Sequence, residues 1–254
     1  MDILIERSHH VLSMTFNRAH KKNAITAAMY QALADALTEA EADSDIRAIL
    51  IQGQADVFTA GNDLEDFMKH PPTSQDAPVF QFLHHISHAS KPIVAAVAGP
   101  AVGVGTTLLL HCDLVYAADN ARFSLPFTQL GLCPEAASSL LLPRLTGYQR
   151  AAEKLLLGEP FDALDAHAMG LVNRILPAAD LLSFAQAQAA KLVQLPAASL
   201  RATKRLMKGD QHAVVDERIA EEALEFGRRL QAPEAREAFT AFFEKRRPDF
   251  SRFV

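Results

Sequence analysis

The uncharged run from Ile93 to Leu110 constrains the fold more than any other part of the sequence. A membrane-spanning helix needs about 20 apolar residues, so the run comes close to that length. However, a bend over residues 99–105, which contains three glycines and a proline, interrupts it. Residues 93–97 before the bend are typical of a buried strand, and those after it are typical of a buried helix. The sequence therefore predicts strand, bend and helix, and no membrane insertion.

Strands and helices alternate on both sides of this bend. The hydrophobic patterns predict strands at 11–16, 47–51, 93–97 and 114–117, and helices at 27–42, 82–89 and from 105 onward. Thr26 is a candidate cap for the first helix, and the proline-containing interval 66–81 is predicted as a loop. This alternation indicates an α/β fold with crossover connections.

The strand pattern ends after Pro177. Three helical stretches follow at 180–195, 197–208 and 216–245, with interruptions at Pro196 and Pro233. We therefore predict an α/β core over residues 1–195 and a helical C-terminal region over residues 196–254.

Charge and cysteine content exclude several classes of protein. With 25 Lys and Arg against 30 Asp and Glu, the net charge is −5, which argues against a nucleic-acid partner. Cys112 and Cys133 are the only cysteines, so the chain is not a disulfide scaffold. The N-terminus lacks a signal-peptide pattern. Together these features predict a cytoplasmic protein.

Two glycine-containing turns are candidate anion sites. Gly103–Gly105 joins a strand to a helix, which leaves backbone N–H groups free at the helix start. Phe58–Leu64 repeats this pattern after the strand at 47–51. Gly103–Gly105 alone is more typical of a tight turn that needs glycine, and Asp63 is also typical of a first-turn carboxylate. Together the two turns supply what a two-donor oxyanion hole needs, at about 3 kcal/mol for each donor.

Glu135 is the only charged residue between Arg122 and Arg144. One interpretation is that Pro134 and Glu135 occupy early helix positions, which favour proline and acids. The other is a carboxylate in an apolar pocket, whose pKa is raised into the range of a general base. The residue pattern alone leaves both open.

Histidines and serines offer weaker candidates. His84, His85 and His88 have helical spacing, but no acidic partner is nearby in sequence, so we do not expect a metal site. Ser138 and Ser139 lack the frame of a nucleophilic serine.

Several motifs together resemble the crotonase family, the enoyl-CoA hydratase/isomerase superfamily. The resemblance extends over nearly the whole chain and is carried by segments 17–24, 58–64, 91–99, 112–117, 170–172 and 242–246. It implies a crotonase-like α/β spiral of ββα units. It also implies a helical C-terminal trimerisation region, giving a homotrimer or a dimer of trimers, and an acyl-CoA substrate.

The resemblance also implies roles for particular residues. The backbone N–H groups of Asn62 and Val104 would hold the thioester oxygen. The turn at Ala60, Gly61, Asn62, Asp63 and Leu64, together with Gly103, would line the substrate path. Ala24 would approach the adenine end of CoA, and Lys22 and the Lys245–Arg247 cluster are candidate phosphate contacts. Phe67, Met68 and the helix containing Phe82 would form the wall of the acyl pocket.

Departures from the hydratase pattern indicate which reaction is catalysed. Hydratases of this family use two glutamates, but this chain has Thr107 and Phe127 at those positions. Cys133–Ser139 instead resembles the segment of Δ3,Δ2-enoyl-CoA isomerases that carries their single catalytic glutamate, here Glu135. The resemblance thus implies an isomerase of 3-enoyl-CoA intermediates in unsaturated fatty-acid oxidation, without a metal or a cofactor beyond the CoA of the substrate. The alternatives are hydration or another acyl-CoA reaction, or acyl-CoA binding without catalysis.

Overall fold

The computed structural model describes residues 1–54, 56–72, 74, 76–209 and 211–253. In these residues, nine strands in two sheets form the framework of the fold. The strands are β1 (Ile3–Ser8), β2 (Val11–Phe16), β3 (Ala48–Gln52), β4 (Ile93–Val97), β5 (Pro100–Val102), β6 (Leu114–Ala118), β7 (Arg122–Ser124), β8 (Phe161–Asp162) and β9 (Arg174–Leu176). The larger sheet has the order β1-β2-β3-β4-β6-β9, and the smaller has the order β5-β7-β8.

Helices surround the sheets and form most of the C-terminal part. They are α1 (Ala27–Ala42), α2 (Leu64–Lys69), α3 (Pro78–His88), α4 (Val104–Thr107), α5 (Ser138–Thr146), α6 (Tyr148–Ala152), α7 (Ala163–Ala168), α8 (Ala178–Gln194), α9 (Ala197–Lys208), α10 (Gln211–Leu230) and α11 (Pro233–Phe243). Short 3₁₀ turns lie at Leu108–His111 and Thr128–Leu130. The Thr26 hydroxyl accepts from the Met29 N–H and so caps α1, as predicted.

The larger sheet is parallel apart from the β1–β2 pair. Every residue of β3 and β4 is buried, as expected for central strands of a sheet covered on both faces. Helix α8 covers one face, where Phe184 packs edge-on against Tyr116 with ring centroids 5.0 Å apart. These two strands therefore lie at the centre of the core.

The chain passes repeatedly from the larger sheet to the smaller one and then into a helix. β4, β5 and α4 form one such unit, and β6, β7 and the turn at Thr128–Leu130 form the next. This path confirms the predicted α/β class and spiral of ββα units. It also confirms that residues 93–110 form strand, bend and helix. In the described part of the chain, no helix is both long and apolar enough to cross a bilayer.

Some predicted boundaries were wrong. The interval 66–81 contains the end of α2 and the start of α3 rather than one loop, because Asp63 caps α2 and Pro78 occupies the first position of α3; Thr73 and Gln75 lie outside the described residues. Pro233 interrupts the stretch 216–245 as predicted, because α11 begins there, but α10 already begins at Gln211 rather than at residue 216. Strand β1 was missed because only Ile3 of its residues is buried, which leaves no alternating pattern.

The C-terminal helices contact the core directly. Ala235 and Phe239 of α11 belong to the same buried cluster as the central strand residues. The boundary between residues 195 and 196 and the trimerisation role of the helical region stay predictions.

Candidate active site

Two turns meet beside the smaller sheet, and each leads into a helix. Gly61 lies before α2 and Gly103 before α4. Thr59 connects them, because its N–H donates to the Pro100 carbonyl at 2.9 Å and its carbonyl accepts from the Val102 N–H at 3.0 Å. These backbone hydrogen bonds hold the two turns side by side.

Glycine is required where the two turns touch. A Cβ on Gly61 would lie 2.7 Å from the Val102 carbonyl oxygen, and a Cβ on Gly105 would lie 2.6 Å from Cγ2 of Thr59. Gly61 also has a φ of +84°, a conformation that side chains disfavour. The turns therefore approach more closely than larger residues would permit.

The backbone N–H groups of Asn62 and Val104 lie just after these turns. Within the described residues, neither N–H donates to a protein acceptor. Val104 is the first residue of α4, where an N–H has no partner inside the helix. Both residues line one cavity of about 670 Å³. Two free N–H donors on one cavity are what an oxyanion hole requires.

The side chain of Asn62 is held from the opposite side. The Tyr30 hydroxyl on α1 donates a 2.5 Å hydrogen bond to its Oδ1. Burial, and secondarily the charge of Glu135, raises the pKa of Tyr30 well above its ordinary value, so the phenol stays a neutral donor. This bond fixes the turn that presents the Asn62 N–H.

The carboxylate of Glu135 lies in a smaller adjoining cavity of about 40 Å³. The two cavities share the lining residues Asn62, Phe67 and Phe226. The cavity that holds the Glu135 carboxylate is therefore next to the cavity lined by Asn62 and Val104. The Thr107 hydroxyl donates a 2.6 Å hydrogen bond to Oε1 of Glu135. One carboxylate oxygen is thereby oriented while the residue keeps accessible surface toward the cavity.

Burial raises the pKa of Glu135 to about 8. The hydrogen bond from Thr107 lowers this pKa, and the negative charge of Glu222 raises it. Desolvation of the charged form is the largest of the three effects. A carboxyl with a pKa near neutrality suits proton transfer, because it can both take and return a proton.

The turn after Glu135 is unusual in its backbone. Ala136 and Ala137 both have positive φ values, of 58° and 55°. Glu222 on α10 holds this turn, since its carboxylate accepts from the Ala137 N–H at 2.6 Å, the Ser139 N–H at 3.0 Å and the Ser139 hydroxyl at 2.5 Å. A buried carboxylate with three donors compensates part of the strain of about 1–3 kcal/mol that each such residue carries.

Helix α5 begins at Ser138, so the interpretation of Pro134 and Glu135 as early helix residues is wrong. The Ser138 hydroxyl donates to the Glu135 carbonyl at 2.6 Å. The Nε2–H of buried His111 donates to the Ala136 carbonyl at 2.9 Å. These groups support the turn that carries Glu135.

The structure brings most of the predicted binding residues to the larger cavity. Its lining includes Ala24, Ala60, Gly61, Asn62, Asp63, Leu64, Gly103, Val104 and Lys22. Lys245 is exposed and follows α11, outside the lining, although Phe242 and Phe243 of that helix are part of it. Arg246 is engaged with Glu237 and Glu244 in ion pairs.

Asp63 has a structural role within the cavity wall. Its carboxylate accepts from the Asp66 N–H at 3.1 Å, which caps α2, and from Arg18 at 2.7 Å. Burial raises the pKa of Asp63, but the Arg18 hydrogen bond and the backbone donors outweigh it and lower the pKa below its usual value. Asp63 thus has the predicted structural role at the start of α2, but as its N-cap rather than as a residue of the first turn.

The wall of the smaller cavity was predicted in part. Phe67 lines it, whereas Met68 is 46% exposed and does not, because it points from the outer face of the short helix α2. Helix α3 contributes Val79, Phe80 and Leu83, while Phe82 is buried in the core. Helix α10 supplies the opposite wall.

Sequence reasoning missed Tyr30 and Glu222 and treated Thr107 only as the loss of a second base. Thr107 could have been identified as a site residue from the sequence, since it occupies the position of a glutamate in the hydratases of the resembled family. Nothing in the sequence indicated the role of Glu222, because one glutamate among several on an amphipathic helix is typical of an exposed face.

Two free backbone donors face one cavity, and a desolvated carboxylate lies beside them. This arrangement is chemically suited to polarising a carbonyl group and transferring a proton. The family model "Enoyl-CoA hydratase/isomerase" matches residues 6–252. The chain thus belongs to the enoyl-CoA hydratase/isomerase family and is an enzyme of the crotonase fold.

Relatives carry the names of both reactions. A probable enoyl-CoA hydratase of Mycobacterium bovis is 34% identical over 252 residues, which cover 98% of this chain and 97% of the relative. Enoyl-CoA delta isomerase 2 of Rattus norvegicus is 36% identical over 225 residues, 85% of this chain, and the match spans 57% of that protein's length.

Solved structures agree on the fold. An enoyl-CoA hydratase/isomerase from Pseudoalteromonas atlantica T6c has a TM-score of 0.94 at 43% identity, covering 98% of this chain and 100% of that one. The Pseudomonas aeruginosa protein OdaA has a TM-score of 0.93 at 46% identity, covering 95% and 98%.

Proposed function

We propose that this enzyme is a Δ3,Δ2-enoyl-CoA isomerase that moves the double bond of a 3-enoyl-CoA to position 2. The observation that carries the proposal is the 2.6 Å hydrogen bond from Thr107 to Glu135, which puts a neutral donor where a hydratase would have its second glutamate. Water addition by the two-glutamate route needs both carboxylates. A double-bond shift needs one.

The proposed reaction uses Glu135 twice. Its carboxylate takes a proton from C2 of the substrate, and the electrons of the broken C–H bond delocalise onto the thioester oxygen as a dienolate. The N–H groups of Asn62 and Val104 stabilise this oxyanion. Glu135 then returns the proton to C4, while the double bond forms between C2 and C3.

Other carboxylates at the site are less suited to this role. Among the described residues that line the two cavities, Asp63 is paired with Arg18 and Glu65 is exposed. Glu222 is buried, but its oxygens are occupied by donors from the turn after Glu135. Glu135 is therefore our single candidate base.

The cavity next to Glu135 is also suited to a base that is shielded from water. Its lining includes Phe67, Phe80, Leu83 and Phe226, which leave little to hold an attacking water. An apolar wall raises the basicity of the carboxylate and suppresses hydration of the product.

Binding of CoA is proposed at the larger cavity. Lys21 and Lys22 lie at its rim with Ala24, and they supply positive charge for phosphate groups. The proposal includes no cofactor beyond the CoA of the substrate, a homotrimer or dimer of trimers, and a cytoplasmic location. Light scattering of the purified protein tests the assembly.

The test compares two reactions on one preparation. We expect 3-enoyl-CoA esters to be converted to conjugated 2-enoyl-CoA esters, with hydration of 2-enoyl-CoA at least about a hundredfold slower, the range that one acid–base group supplies. Hydration at a comparable rate would favour the hydratase alternative, which the 34% identical relatives carry in their names. Tight binding of CoA esters without either turnover would favour a binding protein.

A further inference from the structure

A cluster of metal-ligating side chains lies between α3 and α10, outside both cavities of the active site. His84 and His88 are one turn apart on α3, and Asp216 faces them from α10. One ligand atom from each residue lies within 4.8 Å of the other two. No acidic residue lies near these histidines in sequence, but the fold brings Asp216 to them from a distant helix.

Hydrogen bonding orients one of these imidazoles for a cation. The Nδ1 of His88 lies 3.0 Å from the His84 carbonyl, which only accepts, so Nδ1 carries a hydrogen. The Nε2 of the neutral ring then presents a lone pair, 3.2 Å from Oδ2 of Asp216. Two acceptors at this distance require a cation between them, either a proton on the ring or a metal ion.

The tautomer of His88 is the one that metal sites favour. Metal-binding histidines commonly donate their second ring N–H to a backbone carbonyl, which fixes the ring and raises its basicity as a ligand. In this cluster the His84 carbonyl has that role. His84 itself lies against His88 with ring centroids 4.3 Å apart.

A fourth donor is close by. His212 lies one turn before Asp216 on α10, and its ring stacks on that of His88 with centroids 4.7 Å apart. Two imidazoles and one carboxylate, with a third imidazole or a water as the fourth ligand, match the donor set of Zn²⁺ and related dications. Lys208, whose Nζ lies 3.4 Å from the Ser87 carbonyl, adds positive charge that weakens such binding.

We propose that His84, His88 and Asp216 bind a transition-metal dication such as Zn²⁺, which ties α10 to α3. Both helices also form the walls of the cavity that holds Glu135. A metal that bridges them restrains the relative position of these walls. The site is structural, and no step of the reaction passes through the metal.

His85 provides a matched control. It is adjacent in sequence to His84, but its Nε2 lies 3.1 Å from the Thr38 hydroxyl of α1, away from Asp216. His85→Ala removes an imidazole from the same turn of α3 without removing a proposed ligand. A metal bound by surface histidines in general would respond to both substitutions.

In the experiment, a chelator first removes bound metal from the protein. Zn²⁺ is then added, and its binding is followed by calorimetry and by thermal unfolding. We expect one ion per chain and a rise in the melting temperature, because the ion binds only the folded arrangement. His88→Ala and Asp216→Asn should each raise the Kd at least about tenfold, whereas His85→Ala should leave it unchanged. Mg²⁺ should have no effect, since it prefers oxygen ligands.

Co²⁺ gives a readout that is independent of stability. Visible d–d absorption on adding Co²⁺, lost in His88→Gln and competed by Zn²⁺, would support coordination at this site. Circular dichroism of each variant checks its fold. The proposal is overturned if Zn²⁺ does not bind stoichiometrically, or if His85→Ala weakens binding as much as His88→Ala. A pH-dependent ion pair without metal binding would likewise contradict it.

Discussion

The Thr107 hydroxyl donates a hydrogen bond of 2.6 Å to Oε1 of Glu135. Thr107 comes from the short helix after the glycine bend, and Glu135 from the turn before α5. The contact joins the element that carries the proposed oxyanion donor Val104 to the element that carries the proposed base. The hydroxyl stabilises the charged form of the carboxylate and leaves the second oxygen for a substrate proton.

Replacing Thr107 by valine should raise the pKa of Glu135, because the hydrogen bond that favours the charged form is lost. A hydrogen bond to a charged group contributes roughly 1.5–3 kcal/mol, or about 1–2 pH units. The pH profile of kcat/KM for isomerisation should shift to higher pH by that amount. Thr106→Val is the control, since the Thr106 hydroxyl donates to the Ala101 carbonyl. An unshifted profile for Thr107→Val would rule out this role.

Replacing Glu222 by glutamine should have the opposite effect on the profile. The negative charge of Glu222 raises the pKa of Glu135, so its removal should shift kcat/KM to lower pH. Weaker support for the Ala137 turn should also lower the melting temperature, by roughly 2–4 °C for each kcal/mol. The exposed neighbour Glu221→Gln should change neither quantity. A shift to higher pH would refute the electrostatic explanation.

Replacing Gly61 by alanine should disrupt the oxyanion hole. The new Cβ would lie 2.7 Å from the Val102 carbonyl oxygen at a φ of +84°. Strain of about 1–3 kcal/mol and displacement of the Asn62 N–H should lower kcat at least about tenfold. Gly147 has a nearly equal φ of +83°, and a Cβ there would meet nothing within 4 Å, so Gly147→Ala isolates backbone strain and should retain kcat. Equal loss in both variants would contradict the packing argument.

Replacing Glu135 by glutamine should stabilise the protein at high pH. The pKa of Glu135 is about 8 when folded, against an ordinary value of 4.5. Between these values the unfolded chain loses the proton that the folded chain keeps, so the stability contributed by this group falls as pH rises. The melting temperature of the variant, relative to wild type, should therefore increase from about pH 5 to about pH 8 and then level off.

Thermal unfolding across this pH range checks the stability prediction. The exposed residue Glu159 gives the comparison, since Glu159→Gln should show a constant difference from wild type. A constant difference for Glu135→Gln as well would mean that the carboxyl is not desolvated in the fold.

Local patterns predicted the two glycine turns, since a strand, a bend and a helix start are all encoded within a few residues. Within these turns, the family resemblance pointed to the N–H groups of Asn62 and Val104 as the donors. The support of the turn after Glu135 was not predictable, because Glu222 reaches Ala137 from 85 residues away in sequence. The contact between Asp216 and His88 was also not predictable, because it depends on the packing of α10 on α3.

The edge strand β1 of the larger sheet was also not predictable from the sequence pattern. Strand β1 pairs with β2 through backbone hydrogen bonds, and its exposed side chains leave no hydrophobic period to detect. The reaction, likewise, depends on which side chains converge at one cavity. A resemblance in the segment around Glu135 indicated the candidate base, and the structure adds the Thr107 hydroxyl that orients its carboxylate.

The most direct test of the central claim is the turnover of 3-enoyl-CoA by Glu135→Gln. Without a carboxylate to carry the proton from C2 to C4, kcat should fall by about 10²–10⁴-fold, while binding of a CoA ester stays close to that of wild type. Near-normal isomerisation by a folded Glu135→Gln protein would contradict the assignment of Glu135 as the base.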